Sequence, residues 1–216
     1  MGSTVVATSS MVAYCFVSLL NKLDDHFVSP IHLPRIDESL SVDGLFVTWY
    51  ERIDNHHQWA LRGCIGRLKP INLAKGLREY SVIAATKDPR FPPISKQEVH
   101  RLKCTVSILH SFEICSRWDD WVIGRHGVIV GFSVDGKIYS ATFLPQVMVE
   151  QNWNQQDAIL AAIDKSGYKR KHVSSVAQMM STIADPSTFV VTRYQTSTLS
   201  LRYDEWAEMK HSLNTN

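Results

Sequence analysis

Asp135-Gly136, set between two runs that alternate apolar and polar residues, constrains this chain more tightly than any other feature. The pair asks for a two-residue hairpin turn, because both central positions of the favoured turn take positive φ and Asp-Gly tolerates that. Pairing Val134 with Lys137 then sets Phe132 against Tyr139, Val130 against Ala141 and Val128 against Phe143. In that register six apolar side chains share one face, and a slip of one residue would scatter them. The hairpin also disposes of a motif. Gly131 to Lys137 matches the GxxxxGK part of a phosphate-binding loop, but Ile138 stands where Ser or Thr is needed. Such a loop must open a helix, whereas a β-rich run follows here, so Lys137 reads as a turn lysine in solvent.

The rest of the chain alternates helical and extended patterns. After a disordered start over residues 1–9, Val12, Phe16, Leu19, Leu20, Leu23 and Phe27 recur at helical spacing. Asn21, Lys22, Asp24 and Asp25 lie opposite them, and Ser9 or Ser10 is the expected N-cap. A loop with Pro30 and Pro34 leads to a strand from Leu45 to Ile53, which ends at Asp54-Asn55. His56 and His57 fall in the turn, and a second arm begins at Trp59. Asn72 starts a helix carrying Leu73, Leu77, Tyr80 and Ala84 on one face. Arg90-Phe91-Pro92-Pro93 must be extended, a helical turn spans Ser95 to His100, and a strand runs from Leu102 to about Phe112. Beyond the hairpin, helices are expected near Val147 to Gln151, from Asn154 to Ser166, and through Val173, Val176, Met180 and Ile183. A strand from Phe189 to Ser197 and a helix from Asp204 to His211 close the chain.

At 216 residues, 44% hydrophobic and 20% charged, the chain suits one large domain, or a domain with a smaller lobe, and has a self-sufficient core. A net charge of +2 creates no general field for nucleic acid or acidic membranes. Lys165, Lys169, Arg170, Lys171 and His172 form the basic run, but Tyr168 alone interleaves it, so it reads as a solvated helix end and not as a nucleic-acid surface. Four cysteines without regular spacing read as reduced thiols, which points to an intracellular protein of the cytoplasm or nucleus. The apolar run from Met11 to Leu20 is too short to cross a bilayer, so no membrane partner is expected. No His or Cys spacing resembles a zinc or iron site, and His110 and Glu113, three apart in a strand, would face opposite ways. Asp119-Asp120 suits a turn or cap.

Chemistry concentrates in Leu61-Arg62-Gly63-Cys64-Ile65-Gly66. In a strand running on from Trp59, alternation puts Leu61 and Ile65 with Trp59 on one face and Ala60, Arg62 and Cys64 on the other. Thiol and guanidinium would then be neighbours, and the cation would favour the thiolate. Gly63 and Gly66 tolerate positive φ and let a ligand or another backbone approach closely. The bland alternative is that Cys64 is a small buried hydrophobe, as most unpaired cysteines are.

These residues resemble the AMMECR domain family. The likeness rests on Leu61 to Gly66, Gly76-Leu77-Arg78-Glu79-Tyr80, Asp88 with Arg90-Phe91-Pro92-Pro93, Val106-Ser107-Ile108-Leu109 and Asp120-Trp121. It continues through Gly124, His126-Gly127, Ala141 to Pro145, Glu150-Gln151, Trp153 and Thr192-Arg193-Tyr194. It covers about residues 10 to 206, departs from the family over Lys169 to Thr188, and implies a single domain over 10–210. The resemblance implies an α+β fold, with antiparallel β-sheets flanked by helices, in two unequal, intertwined lobes with a cleft near the six-residue motif. It carries no settled activity and names no cofactor; prokaryotic relatives tend to occur beside Memo-type and radical-SAM proteins. The residue reading and the resemblance together leave two expectations. One is an enzyme or binder of a small anionic ligand, with Cys64 as nucleophile or contact and Arg62, Gly63, Gly66, Arg90, His126 and Arg193 around the ligand. The other is a non-catalytic module that recruits a protein partner.

Overall fold

The structure, a computed structural model, describes residues 4–24, 35–53, 58–170 and 172–214. The chain divides into two units of unequal size, the first made of residues 1–109 and 197–216 and the second of residues 110–196.

In the first unit, helix α1 (Ser9–Leu23) begins after Thr8, which is the N-cap in place of Ser9 or Ser10 and makes no side-chain capping bond. Phe27 and Asp25, expected at the end of this helix, lie outside the described residues. The apolar spacing of α1 is as expected, yet every residue from Met11 to Leu19 is buried, so the helix is enclosed on most sides instead of docking by one stripe. Two short strands, β1 (Ser41–Val42) and β4 (Ile71–Asn72), pair with each other. Between them, β2 (Gly44–Arg52) and β3 (Trp59–Arg67) form an antiparallel pair. The turn holding His56 and His57 lies outside the described residues. Asn72 caps helix α2 (Leu73–Thr86) by accepting from the Lys75 N–H, and the apolar face of α2 packs on β2 and β3. After α2 the chain turns at Pro89 and Arg90, where the Phe91 N–H donates to the Asp88 carbonyl at 3.2 Å, so the extended run expected from Arg90 does not begin there. Pro92 to Ser95 then lead to a 3-10 turn (Lys96–Arg101), closed by a capping box between Ser95 and Glu98. Strand β5 (Leu102–Ile114) follows, its first part antiparallel to β2.

Aromatic rings tie this unit together. Phe16 on α1 meets Trp49 on β2 edge-on at 5.2 Å and stacks on Trp206 at 5.3 Å. The indole N–H of buried Trp49 donates to the Ser81 carbonyl at 2.9 Å, which removes the cost of burying it unpaired.

In the second unit, β6 (Gly127–Val134) and β7 (Lys137–Phe143) form the expected hairpin. Every foreseen pair is present, from Val134 with Lys137 to Val128 with Phe143, and Asp135 and Gly136 take φ of 50° and 74°. Val128, Val130 and Phe132 are buried, with Tyr139, Ala141 and Phe143 packed against the same core. Helices α3 (Pro145–Glu150), α4 (Gln155–Lys165) and α5 (Val176–Thr182) supply the other side of that core through Met148, Ile159, Ile163 and Met179. Strand β8 (Val190–Arg202) pairs antiparallel with β6 and continues five residues past Ser197, the end expected from its pattern. Helix α6 (Tyr203–Asn214) follows it in the first unit. Ser111, at φ 54°, interrupts β5 between His110 and Glu113, so simple alternation does not hold there. The whole is an α+β fold, and no helix among the described residues is long and apolar enough to cross a membrane.

Candidate functional site

β3 stands at the end of the strand order and, among the described residues, pairs with β2 alone, so one side of the Leu61–Gly66 stretch lies outside the ladder. Its register slips within the motif: Gly63 sits opposite Trp49 and Leu61 opposite Tyr50, which leaves Arg62 without a partner across the ladder. The extra residue interrupts the two-residue period, so the same-face argument that joined Arg62 to Cys64 fails at Arg62.

Arg62 turns out to be bound into the first unit. Its side chain is 10% exposed; Nε donates to Glu98 Oε1 at 2.9 Å and Nη1 to the Pro92 carbonyl at 2.6 Å, with Nη2 3.4 Å from the Pro93 carbonyl. Glu98 also receives the Ser95 N–H and hydroxyl, at 2.8 and 2.7 Å. Burial pushes the Glu98 carboxyl up, but the bonds from Ser95 and Arg62 outweigh it and hold the acid below its ordinary range. The expected anion anchor therefore fastens the 3-10 turn and the proline-rich stretch to β3.

The two glycines have an equally local cause. A Cβ on Gly63 would lie 2.0 Å from the Ala84 carbonyl oxygen of α2, and one on Gly66 would lie 2.3 Å from both the Leu45 oxygen and the Phe46 ring. Neither takes a positive φ. The close approach that sequence could attribute to a ligand or to backbone is made by the protein's own backbone.

What stands beside Cys64 is a different pair. Asp88, with a side chain 2% exposed, accepts the Cys64 N–H on Oδ2 at 2.8 Å. The same carboxylate takes three bonds from Arg90: the backbone N–H at 3.1 Å, Nε at 2.9 Å and Nη2 at 2.6 Å. The Arg90 bonds, against the effect of burial and with help from the Cys64 N–H, hold Asp88 down at about 2. Arg90 itself is pushed above its ordinary value, first by Asp88 and in a smaller measure by Cys64. Its Nη2 reaches the Cys64 carbonyl at 3.3 Å, while the side chain stays 53% exposed. The Cys64 thiol is half-buried and accepts from the Thr48 hydroxyl at 3.2 Å across the β2–β3 ladder. Cys15 and Cys104, by contrast, are fully buried. The arrangement is a half-buried cysteine whose N–H is held by a buried carboxylate and whose carbonyl is reached by a half-exposed guanidinium.

Asp88 and Thr48 were not among the expected site residues. Asp88 had a readable signal, since Asp two residues before Arg90 can bond the Arg90 N–H in a local turn. Thr48 had none, because its relation to Cys64 exists only across the strand pair.

His126 and Arg193 belong to the second unit and have partners there. Arg193 bonds Glu113 at 2.9 and 2.8 Å and the carbonyl and carboxylate of Asp120 at 2.8 and 3.0 Å. Buried His126 accepts the Val122 N–H on Nδ1 at 2.9 Å, which places the ring proton of the neutral form on Nε2. Burial first, then the charges of Arg125 and Arg193, push its pKa down. Among the described residues no group of three or more His, Cys, Asp and Glu side chains could hold a metal ion.

The class of fold is shared with a solved structure, that of an uncharacterized protein from Pyrococcus horikoshii, which matches with a TM-score of 0.69 at 24% identity over 89% of this chain and 90% of that one. The AMMECR1 family model matches residues 12–183, and the chain belongs to that family. An uncharacterized Arabidopsis thaliana protein is 34% identical, spanning 94% of this chain and 88% of its own. An uncharacterized Saccharomyces cerevisiae protein is also 34% identical, over 92% and 88%.

Proposed function

We propose that the protein binds a small anionic ligand at the surface formed by Cys64 and Arg90, with the thiol as a contact or as the nucleophile of an enzyme. The observation that carries this reading is the state of Arg90: Asp88 fixes its orientation, yet half of the side chain remains open beside the Cys64 carbonyl. A guanidinium held by a carboxylate keeps a rigid set of donors for a carboxylate or phosphate, and a fixed donor loses less entropy on binding than a free one. The thiol beside it has a hydroxyl donor from Thr48, the kind of contact a developing thiolate uses. Four cysteines without a disulfide among the described residues support a reducing compartment, the cytoplasm or nucleus.

A second reading has its own support. Arg62, Gly63 and Gly66 are engaged by packing, so the motif can be a structural crossing point in a module that recruits a protein partner elsewhere.

Alkylation kinetics followed by mass spectrometry separate the two. Under the first reading Cys64 labels in the folded protein before Cys15 and Cys104, small anions slow the labelling, and Arg90→Gln slows it several-fold, by the roughly 1 kcal/mol that a partly exposed charge supplies. Arg90→Lys retains part of the rate. If Cys64 reacts only on unfolding, the interaction module is the better account.

A further inference from the structure

Two stretches singled out in the sequence have no part in the Cys64 surface: the GxxxxGK look-alike ending at Lys137 and the basic run containing Lys169. The fold of the second unit brings them together in the walls of one cavity of about 640 Å3, along with Val134, Tyr139, Tyr168 and Val173. Lys137 enters from the β6–β7 turn and Lys169 from the segment after α4. Neither ammonium has a carboxylate partner among the described residues; Lys137 lies 5.0 Å over the Tyr139 ring. Tyr139 stacks on Phe132 at 5.3 Å, and Tyr168 meets both rings edge-on at 5.2 and 5.4 Å. This packing fixes the two phenol rings, while their hydroxyls have no hydrogen-bond partner among the described residues.

We propose that this cavity binds an organic phosphate monoester. Two ammonium groups and two phenol hydroxyls present mainly donors, which suits an acceptor-rich group, and two positive charges match the near-dianion that a monoester is at neutral pH. Asp135, also in the lining, repels a bare anion and accepts a hydroxyl or amino group from the ligand's body. The tyrosines, Val134 and Val173 give that body an apolar bed, and the volume is that of a small-molecule pocket, larger than a phosphate needs. No helix N-terminus takes part, so this is a side-chain site and not a phosphate loop.

Titration calorimetry with adenosine monophosphate, phenyl phosphate and ribose 5-phosphate, with inorganic phosphate and adenosine as controls, tests this at about pH 7.5, where a monoester is close to doubly charged. At least one monoester should bind about tenfold or more tighter than either control. Lys137→Gln with Lys169→Gln should weaken it by about tenfold or more, while the melting temperature holds because both lysines are exposed. The loss caused by the lysine double variant should be the same in the Arg90→Gln background, which separates the cavity from the Cys64 surface. Failure of all three monoesters to bind, equal affinity for inorganic phosphate, or undiminished binding by the double variant would each overturn the assignment.

Discussion

Replacing Asp88 by Asn tests the clamp behind Cys64 with a change of one functional group. The carboxylate accepts four bonds, one from the Cys64 N–H and three from Arg90. An amide presents a single acceptor oxygen and turns an NH2 toward donors, so at least one buried donor loses its partner. The fall of the acid from 3.8 to about 2 in the fold is worth about 2.5 kcal/mol of preference for the charged form. Asp88→Asn should therefore cost about 2.5 to 3 kcal/mol near neutral pH. Because the folded value is depressed, this contribution is full above the unfolded value of 3.8 and is lost as pH falls through about 2. Urea unfolding of both proteins as a function of pH reads it directly. The gap between them should hold to about pH 5 and fall to about half by about pH 3, with unchanged m-values. A gap below about 0.5 kcal/mol at neutral pH, or one that acid leaves undiminished, would refute the charge-based account.

Gly63→Ala should lower stability by about 1 to 3 kcal/mol in thermal or urea unfolding, because the new methyl meets the Ala84 backbone oxygen and not a side chain that could swing away. Arg62→Met should cost about 3 kcal/mol, leaving Glu98 without its guanidinium, yet should change Cys64 alkylation less than Arg90→Gln does. The reverse order of alkylation effects would restore Arg62 as the cation that serves the thiol.

Local chemistry made much of this fold readable. Asp135-Gly136 fixed the β6–β7 register because a two-residue turn leaves one arrangement of its flanking pattern, and Asn72 and Asn154 capped helices as their type demands. The Leu61–Gly66 stretch was recognisable as a strand centred on a thiol for the same reason. Its inner workings were not, because each depends on a residue far along the chain. The partners of Arg62 are Pro92 and Glu98, 30 and 36 residues away, and no periodicity in β3 announces them. The bulge that leaves Arg62 unpaired concerns two strands together, and the need for glycine at 63 comes from the end of α2. Elements, turns, caps and the place of Cys64 within a strand were legible from residue order alone, since these follow from steric and hydrogen-bonding preferences within a few residues. That the cation beside Cys64 is Arg90, held by Asp88 and reaching the Cys64 carbonyl, follows from the folded arrangement alone, because electrostatic contact depends on distance in space and not on spacing along the chain.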